Sequence, residues 1–529
     1  MGKVQKKEWI AACGFGGVMG TANLFSRRIL EIDVYSEELL RPEMSDFRWF
    51  VIGMLAGVAC YLAFYYINAR WDFRKGMALA SGKTCFWITF ALTMSSWSLQ
   101  LLADNPCFLM GDTNYILEYG IGMAVQHPLL YVLFMDGGFQ FFAGLTGSVS
   151  WGLLLMAWVQ ILLCSLVVSF VIFWLAEKGF NRVVTGCLIL YYTFLPLIGH
   201  YNMSLVKDTW FGYFLLAATI AFYETAVTEK WLHKPGNFLL LVISFAGTMA
   251  IRNNGFYIIL VLLIIALFLV DWKSRMFLTV TIAGVLFLNH FLSSGNLAQE
   301  KLGIPIQQAA YVLVKGEDVS PEDAEVLENI FPIERWRECY SPAAVDAIKW
   351  SDDFNRYWLN DNEKLFMKTW RHMARGHIKE YATAWLYQTY GLWNTMIMVS
   401  EGPWASQSIF SHDFDYVYTI RKTWKQEAAG YIPILPEVLA KLIRGSSRHI
   451  KYPGAGQCLW LTVMCGLAAV SLKDKRGILI LLPVLGVTGT LFLSTPLSTA
   501  FRYSFCYVLN LPVMVCVINI CFHRKTCKE

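Results

Sequence analysis

The sequence predicts an all-α protein that crosses a membrane many times. Three observations lead to this fold class. The mean hydropathy is +0.45, 56% of the residues are hydrophobic and only 16% are charged, whereas a soluble domain carries about 25% charged residues. Apolar runs of ~17–25 residues, long enough to cross a bilayer as helices, recur along the chain. They are too long for barrel strands, so helices must satisfy their backbone hydrogen bonds in lipid.

About twelve segments have this length and composition. They lie near 9–25, 48–68, 84–103, 149–175, 183–200, 209–226, 237–251, 255–271, 276–293, 454–472, 477–494 and 504–522. They predict an N-terminal transmembrane block over 1–293 and a C-terminal transmembrane block over 453–529. Between them, the hydrophilic region 294–452 has mostly helical periodicity, with Ser320 and Pro321 marking a helix start.

The distribution of Lys and Arg predicts the orientation. Alternate short connections are basic, which is typical of the cytoplasmic side. The basic residues are Lys3, Lys6, Lys7, Arg70, Arg74, Lys75, Lys83, Lys178, Arg182, Lys230, Lys234, Lys273, Arg275, Lys473, Lys475, Arg476, Arg524, Lys525 and Lys528. The acidic connection 29–47 then faces outward, as do 104–148 and 294–452. We therefore expect a multi-pass cell-membrane protein with both termini in the cytoplasm.

Charge and cysteine content exclude some classes of function. The net charge of +5 is explained by the cytoplasmic connections and indicates no nucleic-acid partner. Most of the 13 cysteines fall inside predicted spans, without the spacings of metal sites. Cys107 and Cys339, both predicted outside, either form a disulfide or, as we favour, remain single thiols.

The first large outer loop, 104–148, is unusually long and aromatic. Stretches of this composition form amphipathic helices in the plane of the headgroups. The loop carries Asp112 and His127, each of which has a purely structural alternative. Asp112 is in a suitable place to cap the helix that follows, and His127-Pro128 is suited to break that helix before the next one.

Polar residues also lie at other predicted outer ends of spans: Lys207 with Asp208, Arg252 with Asn253, and Arg502 with Tyr503. Lys207-Asp208 is alternatively a self-neutralised helix start, and Arg502 an ordinary flanking residue. A tight turn accounts for the Asn and Gly of the 252–255 break. It does not account for Arg252, because the outer side disfavours positive charge.

All of these residues are predicted at one membrane face, and this coincidence favours a functional role over the purely structural alternatives. Lysine attracts a phosphate as a point charge, and arginine binds it with two parallel hydrogen bonds. A neighbouring carboxylate suits a general base acting on a hydroxyl. The residues predict a site for a lipid-linked phosphate or diphosphate in which Asp112 is catalytic and His127, Lys207, Asp208, Arg252, Asn253, Arg502 and Tyr503 bind substrate.

The ordered features resemble those of the GT-C superfamily of integral-membrane glycosyltransferases, in an uncharacterised bacterial branch. They are the lone Asp in the first large outer loop, His-Pro-Leu-Leu-Tyr at 127–131, Lys-Asp before a span, Arg-Asn-Asn-Gly at 252–255, IPIQQAAYVL at 304–313, and the final STP and Arg-Tyr. The resemblance extends from about 9 to 522. It implies a GT-C-like fold, a polyprenyl-phosphate sugar donor, an extracytoplasmic active site and an essential acidic residue at Asp112.

The sequence departs from the superfamily pattern in two ways. A second acidic residue is common in that loop, but here Glu118 lies on a helix and Asp136 in a glycine turn, so the need for a divalent metal stays open. The loop also follows the third predicted span instead of the first.

The expected function is transfer of a sugar from a polyprenyl phosphate to an acceptor outside the membrane. The expected acceptor is a cell-surface polymer, a glycolipid or a protein, and the chain contacts membrane lipids. The sequence identifies no definite cofactor, and a divalent metal stays an open alternative. The alternative is a lipid-linked-oligosaccharide flippase or secondary transporter. An internal repeat and ionisable residues near mid-membrane, typical of transporters, are not evident. An acyl or phosphoalkyl transferase is less favoured because His200, His290 and His377 are scattered.

Overall fold

The computed structural model describes residues 6–109, 111–292, 297–399, 431–445, 451–495, 497–498 and 500–524. In the first block its α-helices are α1 Lys6–Glu31, α2 Phe47–Arg70, α3 Gly82–Ala103, α4 Gly111–Tyr119, α5 Leu129–Thr146, α6 Val149–Glu177, α7 Arg182–Phe194, α8 Pro196–Asn202, α9 Lys207–Val227, α10 Pro235–Ile251, α11 Asn253–Leu267 and α12 Trp272–Leu292. The all-α prediction is confirmed for this block.

The hydrophilic region is also mostly helical where it is described. Its helices are α13 Ala298–Lys301, α14 Gly303–Val314, α15 Pro321–Ile330, α16 Ile333–Glu338, α17 Asp346–Lys349, α18 Arg356–Asp361, α19 Glu363–Gly376, α20 Ile378–Trp393 and α21 Glu437–Gly445. Ser320 caps α15, as predicted, by accepting a hydrogen bond from the backbone of Asp323. The segment 401–418, whose composition predicts a loop, lies outside the described residues.

The C-terminal block consists of α22 Ala455–Leu472, α23 Lys475–Leu479, α24 Leu482–Ser494 and α25 Phe505–Arg524. Short 3-10 helices cover Gly120–Val125, Trp231–His233 and Phe501–Ser504. Within the described residues, four two-residue strands form two pairs. β1 Phe108–Leu109 runs parallel to β2 Ser204–Leu205, and β3 Met398–Val399 runs antiparallel to β4 Tyr452–Pro453.

The predicted count of about twelve spans is not confirmed. By length and composition, seven helices of the described chain are able to cross a membrane, and the pair α7–α8, bent by 51°, makes an eighth if it is one span. Proline explains part of the difference, because Pro196 and Pro483 start new helices inside segments 183–200 and 477–494. Helices α10, α11 and α24 are shorter apolar helices, and α1 and α12 are not among the seven. Helix α5, which the sequence placed in the interfacial loop 104–148, is one of the seven.

Glycines let α1 and α2 pack unusually closely. A Cβ on Gly20 would lie 2.7 Å from the carbonyl oxygen of Phe50, and one on Gly57 would lie 3.0 Å from the Cα of Gly16. Small residues at such contacts allow helix backbones to approach within van der Waals distance in a membrane.

Contacts between connections fall into two separate groups. Predicted cytoplasmic segments meet one another: the backbone N–H groups of Asn181 and Arg182 donate to the carbonyls of Phe73 (2.9 Å) and Met77 (2.8 Å). Predicted outer segments also meet: Lys315 donates to the carbonyl of Tyr35 (2.9 Å), and the backbone of Thr395 to Ser26 (3.0 Å). In each group, the contacts join segments that the sequence predicts on the same side, and the orientation itself stays a prediction.

Neither Cys107 nor Cys339 forms a disulfide within the part of the chain that the structure describes. Cys107 is buried, and burial raises the pKa of its thiol. The disulfide alternative is thus absent from the structure, and two single thiols remain.

Candidate functional site

The structure brings seven of the eight predicted site residues into one cluster, which we call the charged cluster. Its members come from α4, the turn before α5, the start of α9, the α10–α11 break and the start of the last span. They are Asp112, His127, Lys207, Asp208, Arg252, Arg502 and Tyr503. Asn253 differs, because it lies on the exposed side of the first turn of α11.

Two short strands position Asp112 against α9. The pairing of β1 with β2 is continued by a hydrogen bond from the backbone of Phe108 to the carbonyl of Met203 (3.1 Å). Behind β2, the side-chain amide of Gln160 on α6 donates to the carbonyls of Asn202 and Ser204, each at 2.8 Å. This frame fixes the loop that precedes α4 beside the turn that precedes Lys207. Sequence reasoning did not find it, because two-residue strands leave no periodic pattern.

Asp112 binds two cations through one oxygen. Its Oδ2 lies 3.0 Å from Nζ of Lys207 and 3.1 Å from Nη1 of Arg502. Burial raises the pKa of this carboxyl, but the charges of Arg502 and Lys207 outweigh burial and hold the pKa well below its usual range. Asp112 lies inside the first turn of α4, where a carboxylate also suits the helix dipole. The capping alternative therefore does not describe its main contacts.

His127 contacts Lys207 through a defined ring nitrogen. Its Nδ1 lies 3.1 Å from Nζ of Lys207, and an ammonium group has only donors. Nδ1 must therefore accept, which leaves the proton of the neutral ring on Nε2. Burial, followed by the charge of Lys207, lowers the pKa of His127 to about 3. Pro128 precedes α5, so the residue pair also ends the previous helix as the structural alternative proposed.

Arg252 is paired with a buried carboxylate. Its Nη1 lies 2.7 Å from Oδ1 of Asp208, whose side chain is completely buried. The guanidinium lies 5.2 Å from the centre of the Phe211 ring and 4.9 Å from that of Tyr503, distances typical of cation–π contacts. Arg252 therefore stabilises the interior of the cluster, and its role in binding substrate stays a prediction.

Glycine explains how Arg252 reaches this position. The break between α10 and α11 consists of Arg252 alone, in an extended conformation. A Cβ on Gly255 would lie 2.2 Å from the carbonyl oxygen of Thr248, so only glycine lets α11 start this close to the end of α10. The turn signal in the sequence thus reflects close helix packing.

Arg502 connects the two carboxylates. Besides Asp112, it lies 3.9 Å from Oδ2 of Asp208 through Nε, and its Nη2 donates to the hydroxyl of Tyr503 (3.1 Å). With His127 neutral, three cations and two carboxylates leave one net positive charge in the cluster. The side chains of Asp112 and Lys207 are the more accessible, at 19% and 15% exposed, against 6% for Arg502.

The described residues do not form a metal site. Among them, no group of three or more His, Cys, Asp or Glu side chains is arranged to hold a metal ion. The accessible carboxylate, Asp112, is bound by two cations instead. An arrangement of cations around a carboxylate suits binding of an anion near a group that accepts a proton.

The fold and the cluster define an α-helical multi-pass membrane protein with a charged site where several of its helices begin or end. The chain belongs to DUF6020, a family of unknown function, whose model matches residues 122–528. Six of the seven cluster residues lie inside the matched segment, and Asp112 lies just before it. No curated protein and no solved structure matches the chain.

Proposed function

We propose that this protein is a glycosyltransferase of the GT-C type that moves a sugar from a polyprenyl-phosphate donor to an acceptor outside the cell membrane. The observation that carries the proposal is the contact of one accessible carboxylate, Asp112, with Lys207 and Arg502. It provides a proton acceptor and two phosphate-binding groups within a few ångströms of each other. The resemblance of the sequence to that superfamily supports the same assignment.

In the proposed reaction, an acceptor hydroxyl attacks the anomeric carbon of the donor sugar. The bond from that carbon to the phosphate oxygen breaks, and its electron pair leaves with the polyprenyl phosphate. Asp112 takes the hydroxyl proton, and Lys207 and Arg502 stabilise the charge on the leaving phosphate. A single displacement inverts the anomeric configuration.

Binding of the donor would itself increase the basicity of Asp112. The low pKa of this carboxyl is caused by the two cations that surround it. A donor phosphate attracts the same cations, and each contact that it takes from Asp112 favours protonation of the carboxylate. The resting arrangement thus keeps a weak base, and the substrate converts it into a stronger one where it is needed.

The orientation follows from the predicted layout. With the basic connections in the cytoplasm, both termini lie inside, and the charged cluster lies at the outer face beside the 294–452 region. The acceptor then approaches from outside, and the polyprenyl chain of the donor lies among membrane lipids.

The test uses the purified full chain in liposomes with radiolabelled short-chain polyprenyl phosphates, each carrying one of several hexoses. Release of free polyprenyl phosphate in the presence of cell-surface extract reports transfer. We expect Asp112→Asn to lower the rate by about 10²–10⁴-fold, the usual contribution of a general base. Glu118→Gln is the matched control, because this carboxylate is on the exposed side of the same helix.

Two results would contradict the proposal. Turnover by Asp112→Asn at the wild-type rate would remove Asp112 from the chemistry. Movement of labelled lipid-linked sugar across the liposome bilayer without its consumption would replace the transferase by the flippase or transporter alternative.

A further inference from the structure

A row of exposed cations runs along α19 in the hydrophilic region. Lys364, Lys368, Arg371 and Arg375 are all exposed, and their spacing of four, three and four residues places them on one face of the helix. At 1.5 Å per residue the row is about 16 Å long. We call these four residues the α19 basic row.

The α19 basic row lacks counter-ions among the described residues. The single acidic residue of α19, Glu363, pairs with Lys301 (3.7 Å). Arg371 donates to the backbone carbonyl of Met367 (3.0 Å), and no described carboxylate forms an ion pair with the row. Asp323 on the neighbouring helix α15 pairs with His372 (2.6 Å) and not with the row. Like charges at these spacings repel along a helix, so an anion bound across them would relieve an unfavourable interaction.

The opposite face of α19 packs inside the protein. Phe366, Thr369 and Met373 are buried, and the indole of Trp370 donates to Gln308 on α14 (2.9 Å). An amphipathic helix that binds a membrane surface places its apolar face in the lipid. Here the buried residues of α19 pack against α14 and α15 instead. These contacts favour a water-soluble partner over a lipid surface.

We infer that the α19 basic row is a docking site for a linear anionic polymer on the outside of the cell, one whose phosphate or carboxylate groups repeat along its length. Four cations in a line match a partner with regularly spaced charges better than a single small anion. The inference rests on the proposed extracytoplasmic placement of this region but not on sugar transfer, because binding does not involve the charged cluster.

The experiment measures binding of fluorescent long-chain inorganic polyphosphate to the full chain in zwitterionic nanodiscs at several salt concentrations. The variant carries Lys364→Gln, Lys368→Gln, Arg371→Gln and Arg375→Gln. We expect it to bind at least about tenfold more weakly and with a smaller dependence on salt, because fewer counter-ions are released. The control removes four cations of the same region that have partners: Lys301→Gln, Lys315→Gln, Arg335→Gln and Arg356→Gln.

The outcomes separate the inference from its competitors. Weak binding by the variant, with near wild-type binding by the control, supports a localised polymer site. Equal losses in both show that net charge alone attracts the polymer, and unchanged binding in the variant removes the site. If the variant loses binding only to vesicles containing phosphatidylglycerol and keeps polyphosphate binding, the row is a lipid contact instead. A thermal unfolding scan of each variant shows whether the fold is retained.

Discussion

The guanidinium of Arg502 donates a hydrogen bond to the carboxylate of Asp112, 3.1 Å away, although 390 positions of sequence separate the two residues. The bond joins the first large loop to the start of the last span. The charged cluster is therefore a tertiary feature, and substitutions at distant points of the chain should affect it together.

Arg252→Ala should destabilise the protein. The substitution removes the closer of the two ion pairs of the fully buried Asp208 carboxylate and keeps the one with Arg502 at 3.9 Å. Breaking a buried ion pair in this way costs about 3–5 kcal/mol. Thermal unfolding in detergent measures the loss. The double variant with Asp208→Asn should recover part of it, because no unpaired charge remains.

Donor turnover by the Arg252 variants tests the role of this residue more closely. Arg252→Lys keeps the charge but loses the planar fork, so we expect stability and turnover to fall together and by less than in Arg252→Ala. A variant with wild-type stability and weakened donor use would show that Arg252 contacts the donor directly, as the sequence predicted.

His127 should act through the position of Lys207. Asparagine can place an acceptor oxygen near the position of Nδ1, whereas glutamine reaches the position of Nε2. We expect His127→Asn to keep most of the donor turnover and His127→Gln to lose about tenfold, in line with a hydrogen bond to a charged group of roughly 1.5–3 kcal/mol. The ratio of kcat/KM for the two variants is the measurement, and a glutamine variant that outperforms asparagine would overturn this role.

Stability should fall as the pH is lowered below about 6.5. The pKa of His127 in the folded protein is lowered to about 3, and an unfolded histidine has a pKa near 6.5. The neutral ring therefore stabilises the fold above about pH 6.5, and this contribution is lost progressively as the pH falls toward 3, by at most about 1.4 kcal/mol per pH unit.

The variant His127→Asn isolates this pH effect. Asp112 does not contribute in the same range, because its stabilising ionisation is lost only below the ordinary carboxyl pKa. The difference in unfolding temperature between wild type and variant should therefore change between pH 7 and pH 5. A difference that is constant with pH would show that His127 is not kept neutral by the fold.

Gly255→Ala should disrupt the α10–α11 break. The new Cβ would lie 2.2 Å from the carbonyl oxygen of Thr248, so the helix start has to move, at a cost of roughly 1–3 kcal/mol. Gly236→Ala is the control, since nothing lies within 4 Å of its Cβ position. Unfolding temperatures that fall equally in both variants would contradict the tight approach.

Cysteine labelling tests the orientation. In a cysteine-free background, a membrane-impermeant reagent should reach cysteines introduced at Tyr119 and Glu322 from outside, and should reach those at Lys75 and Lys473 only after permeabilisation. All four positions are exposed, whereas Asn114 in the same loop is buried and is a poor reporter. The opposite pattern would place the charged cluster in the cytoplasm and remove the proposed substrate side.

The sequence predicted which residues of the site lie together, but not how they pair. Charged residues next to apolar spans are visible in a sequence, because lipid excludes them from the span interior. Whether Arg252 faces a substrate or Asp208 depends on the packing of α9 against α10, which no local pattern reports. Likewise, the sequence shows Pro196 and Pro483, but it does not give the directions of the helices that begin there. Those directions decide how many spans the segments form.

The position of Asp112 relative to the matched segment affects how other members of the family should be compared. Lys207 and Arg502, both inside the segment 122–528, converge on a single oxygen of Asp112. Without that oxygen, two positive groups would face each other at a distance at which they repel. An aligned pair of such cations in another member should therefore be accompanied by an acidic residue upstream of the shared segment, and a truncated protein that starts at residue 122 should lose the electrostatic partner that holds the remaining cluster together.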